Sequence, residues 1–222
     1  METGRTAQRG HTGPKGVRWQ DYAPPFSTRQ KEWTEWSITY AYNATETDKP
    51  RVLLIGDSIC NGYQGAVRDK LAGRVNVSFW ASSKCVTDPA YFRELDFMLD
   101  AYPYDAVTFN NGLHSLTTDR EVWEPAYLSA VLFIRDKLPQ AKLSLVLSTP
   151  LKDAALTAVS AALNDSVKKI GTEQGLPLID LFTAMDGLDR DAFWSDTYHF
   201  RAPAIEIQAE ILAEHVQRQL AL

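Results

Sequence analysis

The sequence has few of the features that would place it outside the ordinary globular proteins. Only two of its 222 residues are cysteine, which is too few for a disulfide framework. It contains no apolar run near the roughly 20 residues that a helix needs to cross a bilayer. Residues 1–16 lack the apolar core of a secretory signal. We therefore expect a soluble, cytoplasmic protein that does not bind a membrane.

Basic residues are scarce relative to acidic ones. The chain carries 23 Lys and Arg against 28 Asp and Glu, a net charge of −5, so it has no positive excess with which to bind nucleic acid. It also contains no internal repeat and no low-complexity tract. What it does have is a 45% share of hydrophobic residues, enough for one large core in a chain of this length.

The composition divides the chain into three zones. Residues 1–18 are rich in Gly, Thr, Arg and Lys and predict a disordered tail or a remnant of cloning. Residues 19–49 are aromatic without a clear period, and we expect this extension to pack on the main domain, residues 50–222. Its aromatic rings could instead stack on a carbohydrate or contact a second subunit in a homo-oligomer. These aromatic residues are Trp19, Tyr22, Phe26, Trp33, Trp36, Tyr40 and Tyr42.

From residue 50 onward, short apolar runs alternate with longer segments of helical period. Five runs predict strands, at residues 51–55, 75–80, 105–110, 142–148 and 176–182. Segments 89–102, 120–138, 155–175 and 203–220 carry apolar residues at helical spacing. Apolar strands alternating with helices predict an α/β domain with three α/β/α layers and a flavodoxin-like parallel sheet of about five strands.

Polar residues that can do chemistry follow the predicted strands. Sites in open parallel sheets form at the carboxyl ends of the strands, where the loops lead into helices. Four groups could meet there, namely Gly56-Asp57-Ser58, Ala81-Ser82-Ser83-Lys84, Asn110-Asn111-Gly112-Leu113-His114 and Asp196-Thr197-Tyr198-His199.

The first and last groups contain the parts of a nucleophilic site. A serine hydroxyl such as that of Ser58 needs a base to remove its proton as it attacks. Imidazole ordinarily has a pKa near 6.5, which suits a base near neutral pH, and His199 is the natural candidate. Asp196 can reach the other ring nitrogen, and free N–H groups at the helix start after Ser58 suit an oxyanion. The alternatives are that Asp57, Ser58 and Asp196 only cap local structure and that His199 is a surface residue.

These groups, in this order and at these positions, resemble the SGNH (GDSL-type) hydrolase family over nearly all of residues 50–222. The Gly56-Asp57-Ser58 run resembles the nucleophile block of that family, and Asp196 with His199 resembles its terminal block. The resemblance implies a serine esterase that acts on small O-acyl esters through an acyl-enzyme intermediate.

The two middle groups depart from the family pattern. Where the family has a glycine whose N–H feeds the oxyanion hole, this chain has ASSK, so Ser83 is the candidate donor and Lys84 the alternative. Where the family has Gly-x-Asn, registering its glycine on Gly112 puts His114 in the asparagine position, whereas a shifted register leaves Asn111 as the donor.

The string NNGLH resembles a divergent branch of these hydrolases. We assign positioning roles to Asp57 and Asn110. The alternatives are an ordinary turn at Asn110 and Asn111 and a packing role for His114.

No cofactor or metal is expected. Cys60 and Cys85 are predicted to be packed rather than reactive, and a bridge between them would need an oxidising compartment. No Cys/His cluster has zinc spacing, and the glycine-rich phosphate-binding motifs are absent from the sequence.

The substrate class is open at this stage. The divergent third group favours deacetylation of a carbohydrate ester. The alternatives are a lipid-directed lysophospholipase or thioesterase, and a catalytically silent carbohydrate-binding domain on the same fold.

Overall fold

A computed structural model describes residues 16–222, so most of the predicted tail, residues 1–15, lies outside the described residues. The described part contains a six-stranded sheet in the order β1-β3-β2-β4-β5-β6. Its strands are β1 (Ser37–Ala41), β2 (Arg51–Gly56), β3 (Asn76–Ser82), β4 (Ala106–Phe109), β5 (Lys142–Val146) and β6 (Leu178–Ile179).

Five of the strands, β2 to β6, pair in parallel. Their order across the sheet is the flavodoxin-like one, in which the second strand along the chain lies outside the first and the remaining strands follow on the other side. The predicted α/β fold with a parallel sheet is therefore confirmed. The chain reverses its direction of travel across the sheet between β2 and β4, and this switch point is where such folds bind ligands.

Helices cover both faces of the sheet. They are α1 (Ser58–Lys70), α2 (Pro89–Leu99), α3 (Arg120–Lys137), α4 (Ala154–Gln174), α5 (Leu181–Asp186), α6 (Arg190–Phe193) and α7 (Ala202–Leu220), with 3₁₀ turns at Trp19–Asp21 and Leu113–Ser115. One core cluster lies under α2, α3 and α4, and the other lies under α1 and α7. Because β2 sends Leu53 and Ile55 to the first cluster and Val52 and Leu54 to the second, these four consecutive residues all have to be apolar.

The segment before β2 adds an edge strand that the sequence analysis did not identify. Strand β1 pairs antiparallel with β3, from Ser37 opposite Ser82 to Ala41 opposite Ser78. Trp36 and Ile38 pack against the core cluster on one face of the sheet. Val17, Trp19 and Tyr22, earlier in the chain, pack against the cluster on the other face.

The last predicted strand is shorter than the apolar run that predicted it. Strand β6 ends at Ile179 because Asp180 caps the following helix, its Oδ1 accepting from Thr183 N at 2.8 Å. Leu181 and Phe182 therefore lie in α5 rather than in the sheet. Among residues 16–222, no helix combines the length and the apolar character needed to cross a membrane.

Candidate active site

A tight strand-to-helix turn positions Ser58. Strand β2 ends at Gly56, and Asp57 caps α1 by accepting from Ile59 N at 2.9 Å. A Cβ atom on Gly56 would lie 2.6 Å from the Cβ of Cys60, so the helix approaches the strand too closely for any other residue. As a result, Ser58 is the first residue of α1, with its N–H at the positive end of the helix dipole.

A short closed loop positions Asp196 and His199. Trp194 and Phe200 form an antiparallel β-bridge at its base, and the centroids of their buried rings lie 4.5 Å apart. Ser195 N donates to His199 O at 2.8 Å, which closes the turn. The loop is thus anchored on the core while its tip reaches the carboxyl edge of the sheet.

These two elements bring a serine, a histidine and an aspartate into one hydrogen-bonded chain. Ser58 Oγ lies 2.8 Å from His199 Nε2, and Asp196 Oδ2 lies 2.8 Å from His199 Nδ1. Because a carboxylate only accepts hydrogen bonds, Nδ1 carries the ring proton and Nε2 is left to accept from the hydroxyl. This tautomer is the one that a general base requires.

The carboxylate of Asp196 is strongly stabilised in its ionised form. Partial burial alone would raise its pKa, but the backbone N–H groups of His199 and Tyr198 and the His199 ring together lower that pKa to about 2. Its Oδ1 accepts from Tyr198 N at 2.7 Å and from His199 N at 2.8 Å. Asp196 therefore caps its own turn and also contacts the histidine ring.

The two asparagines after β4 make structural contacts. Asn110 Nδ2 donates to Val146 O at 2.8 Å, which ties the end of β4 to the end of β5. Asn111 uses both ends of its amide, with Oδ1 accepting from Val86 N at 3.0 Å and Nδ2 donating to Lys84 O at 2.9 Å. The Asn111 side chain consequently holds the loop after β3, and this contact uses one of the two N–H donors of its amide.

The backbone donors considered after β3 are also engaged. Ser83 N donates to Trp36 O at 3.1 Å, extending the pairing between β1 and β3. Lys84 N donates to Ser82 Oγ at 3.1 Å. Ser83 was predicted to donate to the oxyanion, with Lys84 as the alternative. Both backbone N–H groups already have hydrogen-bond partners in the structure.

His114 is differently placed. Its Nδ1 is in direct hydrogen-bond contact with a carboxylate oxygen of Glu32, and Trp36 packs edge-on against the ring with centroids 5.7 Å apart. Its Nε2 is buried and has no hydrogen-bond partner among the described residues. Asp57 Oδ2 accepts from Leu113 N at 3.4 Å, which links this turn to the one that carries Ser58.

The serine, the histidine and His114 line one cleft of about 540 Å³. This volume lies within the usual range for small-molecule sites. Gln30, Lys31, Glu32 and Trp36 of the N-terminal segment line the same cleft. Nothing in the sequence predicted this for Glu32, because a charged residue in an irregular aromatic segment has no periodic signal.

The cysteines take no part in the cleft. Cys60 and Cys85 are free and buried, and burial raises the pKa of the Cys60 thiol to about 12. Within residues 16–222, no group of three or more His, Cys, Asp or Glu side chains is arranged to hold a metal ion.

Comparison with known proteins identifies the fold. No protein-family model matches the sequence, and a search of curated proteins gives no match. Among solved structures, a lipolytic protein of the G-D-S-L family from Veillonella parvula is 16% identical, with a TM-score of 0.62 over 76% of this chain and 98% of its own. Axe2, an acetylxylan esterase from Geobacillus stearothermophilus, is 18% identical, with a TM-score of 0.60 over 78% of this chain and 94% of its own.

A third structure, the acetyl xylan esterase AlAXEase, is 15% identical, with a TM-score of 0.62 over 75% of this chain and 99% of its own. At such identities the likeness is one of fold. This chain has the fold of the SGNH (GDSL-type) hydrolases, as its sequence resemblance implied.

Proposed function

We propose that this chain, with its SGNH hydrolase fold, is a serine esterase that hydrolyses small O-acyl esters through an acyl-enzyme intermediate. The observation that carries the proposal is the continuous hydrogen-bonded chain from Ser58 through His199 to Asp196. It opens into a cleft large enough for a small ester.

In the first step, Ser58 Oγ attacks the ester carbonyl carbon while His199 Nε2 takes the hydroxyl proton. Asp196 keeps the other ring proton on Nδ1 and stabilises the imidazolium that forms. Its low pKa suits this role, because it stays ionised throughout the range in which a histidine acts as a base.

The negative oxygen of the tetrahedral intermediate needs donors that are free before the substrate arrives. Ser58 N lies in the first turn of α1, where backbone N–H groups have no partner inside the helix. His114 is the side chain that we assign as the second donor, because its Nε2 has no partner among the described residues and the ring lines the same cleft as Ser58.

Collapse of this intermediate breaks the bond between the carbonyl carbon and the alcohol oxygen. His199 gives its proton to the departing alcohol and then removes a proton from a water molecule that attacks the acyl-enzyme. Breakdown of the second tetrahedral intermediate releases the carboxylic acid and returns the proton to Ser58.

We propose an O-acetylated carbohydrate as the substrate class. The cleft offers hydrogen-bonding side chains from Gln30, Lys31, Thr117 and Tyr198 beside the indole of Trp36, a mixture that suits a sugar ring. Two of the structural neighbours are described as acetylxylan esterases, and this supports the proposal at the level of fold.

The decisive experiment is covalent labelling. A fluorophosphonate or sulfonyl fluoride should modify Ser58 in the folded protein, located by peptide mapping, and the label should be absent in His199→Ala. Labelling of a different serine, or none, would contradict the mechanism.

A comparison of nitrophenyl acetate with nitrophenyl octanoate then tests the acyl group. We expect a higher kcat/KM on the acetate. A preference for eight carbons would favour a lipid-directed hydrolase instead. Sugar binding without turnover, unchanged in Ser58→Ala, would identify a carbohydrate-binding domain.

A further inference from the structure

The contact between His114 and Glu32 fixes one of the two ring protons of His114. The His114 side chain is only 11% exposed, and its Nδ1 faces a carboxylate oxygen of Glu32. A carboxylate can only accept, so Nδ1 must be the nitrogen that carries the proton. The charge state of the ring then depends on Nε2 alone.

The state of Nε2 decides what His114 can do in the proposed reaction. In a neutral ring with its proton on Nδ1, Nε2 presents a lone pair, which would repel a negative oxygen. In an imidazolium, Nε2 carries an N–H that can donate to that oxygen. A neutral amide, such as an asparagine side chain, always has N–H groups to donate. A histidine at this position donates from Nε2 only when its ring is charged, so it requires a partner that keeps the ring charged.

Glu32 is held in place by a partly buried ion pair within its own segment. Its backbone N–H donates to Glu35 Oε1 at 2.9 Å, and Glu35 in turn pairs with Arg29, whose side chain is 2% exposed. Arg29 Nη1 donates to Ser83 O at 2.8 Å, in the loop after β3. The backbone of Glu32 is therefore fixed to the main domain through Glu35 and Arg29.

The charged groups near His114 differ in how closely they approach its ring. Glu32 contacts the ring directly, and a paired charge is the form in which an ionised group is tolerated when it is mostly buried. The other titratable groups that line the same cleft are Lys31, Tyr198 and His199. The positive charge of Lys31 would repel a charged His114 ring, but among the described residues no hydrogen bond joins the two side chains. Glu32, in contrast, is in direct contact with the ring.

We infer that Glu32 is a positioning residue of the esterase site: its carboxylate keeps His114 as an imidazolium whose Nε2–H donates to the oxyanion. The inference rests on the proposed function, since it needs an oxyanion to form beside Ser58. Through Glu32, the N-terminal segment becomes a part of the site, because this residue acts on the oxyanion by way of His114.

A double-mutant cycle tests the inference kinetically. In the parent protein, Glu32→Gln should lower kcat for nitrophenyl acetate by about 10- to 100-fold with little change in KM, because only the transition state uses the donor. His114→Asn installs a neutral amide donor, and in that background Glu32→Gln should change kcat by less than about twofold. Glu214→Gln, which removes an exposed carboxylate from its pair with Arg218, is the matched control and should leave kcat unchanged.

The charge on His114 can be read directly by NMR of protein labelled in its histidine rings. The chain has four histidines, and the signal of His114 is the one missing from His114→Asn. At the pH of the assay, His114 should carry protons on both nitrogens in the parent and on only one in Glu32→Gln.

Two results would overturn the inference. One is a loss of kcat in Glu32→Gln that is equal in both backgrounds, and the other is a neutral His114 ring in the parent at the pH of the assay. Failure of the proposed function looks different, because the parent would then fail to hydrolyse the ester or Ser58→Ala would retain activity. The NMR measurement still decides the charge of His114 in that case.

Discussion

Ser58 Oγ and His199 Nε2 lie 2.8 Å apart although 141 residues separate them in the chain. Ser58 begins the helix that follows the central strand β2, and His199 lies in the loop just before the last helix, α7. The two helices α1 and α7 pack together on one face of the sheet and bring the two loops to the same edge. The site therefore exists only when the whole main domain is folded.

Removal of either member of this pair should abolish most of the activity. Ser58→Ala and His199→Ala should each lower kcat for nitrophenyl acetate by at least about 10⁴-fold, and the double variant should lose little more, because the triad acts as a unit. Circular dichroism should be unchanged. Ser27→Ala, at an exposed serine outside the cleft, is the control and should retain full activity. Additive losses in the double variant would contradict a shared mechanism.

Asp196 should not contribute to the acid side of the pH profile. Asp196 has a pKa of about 2, below its ordinary value, so it remains ionised as the pH falls from neutral to about 3. A protonated His199 cannot accept the proton of Ser58, so kcat/KM should fall towards acid pH with the slope of a single proton. A slope of two protons in Glu32→Gln, which lacks the carboxylate beside His114, would show that Asp196 titrates in the same range.

The close packing of β2 against α1 should make Gly56 intolerant of a side chain. Gly56→Ala would place a Cβ 2.6 Å from the Cβ of Cys60, an atom that cannot move without moving the helix. We expect the free energy of unfolding to fall by about 1–3 kcal/mol and kcat to fall with it, because Ser58 shifts with α1. Urea denaturation and the ester assay measure the two effects.

Gly65, in the middle of the same helix, is the matched control. A Cβ there would meet nothing within 4 Å among the described residues. Gly65→Ala should therefore raise the free energy of unfolding by about 0.5–1 kcal/mol and leave kcat unchanged. Equal losses of stability in the two variants would contradict a close approach of α1 to β2 at Gly56.

Two arginines of the N-terminal region should differ sharply in importance. Arg29→Ala leaves the partly buried carboxylate of Glu35 without its partner, and we expect a loss of about 3 kcal/mol in the free energy of unfolding. It should also lower kcat, because Glu32 loses its support. Arg18→Ala removes an ion pair with Asp21 that is open to solvent and should change neither quantity measurably. Equal unfolding midpoints for the two variants would contradict this ranking.

Much of the fold could be predicted from the sequence because both faces of its parallel strands are buried. A strand such as β2 has to be apolar at its inner positions, and this leaves a recognisable apolar run, residues 52–55, in the sequence. Strand β1 leaves no such run, since it lies at the edge of the sheet and all five of its residues are exposed or half-buried. Its pairing with β3 depends on a partner distant in the chain, which local pattern does not reveal.

The same limit applies to the candidate site. The positions of Ser58, Asp196 and His199 follow from strand ends and short spacing, so the sequence alone could group them. The partner of Ser83 N is Trp36 O, next to β1. The partner of the His114 ring is Glu32, which lies 82 positions away in the chain. Contacts of this kind are made by tertiary packing and have no spacing rule.

The pairing of β1 with β3 has a consequence for the behaviour of shortened chains. Five residues of β3, Ser78 to Ser82, pair with β1 along the outer edge of that strand. A chain cut back to begin at Pro50 would leave this edge of β3 unpaired, and an unpaired strand edge readily pairs with strands of other molecules. Truncation there should therefore yield a product that aggregates rather than a smaller stable domain.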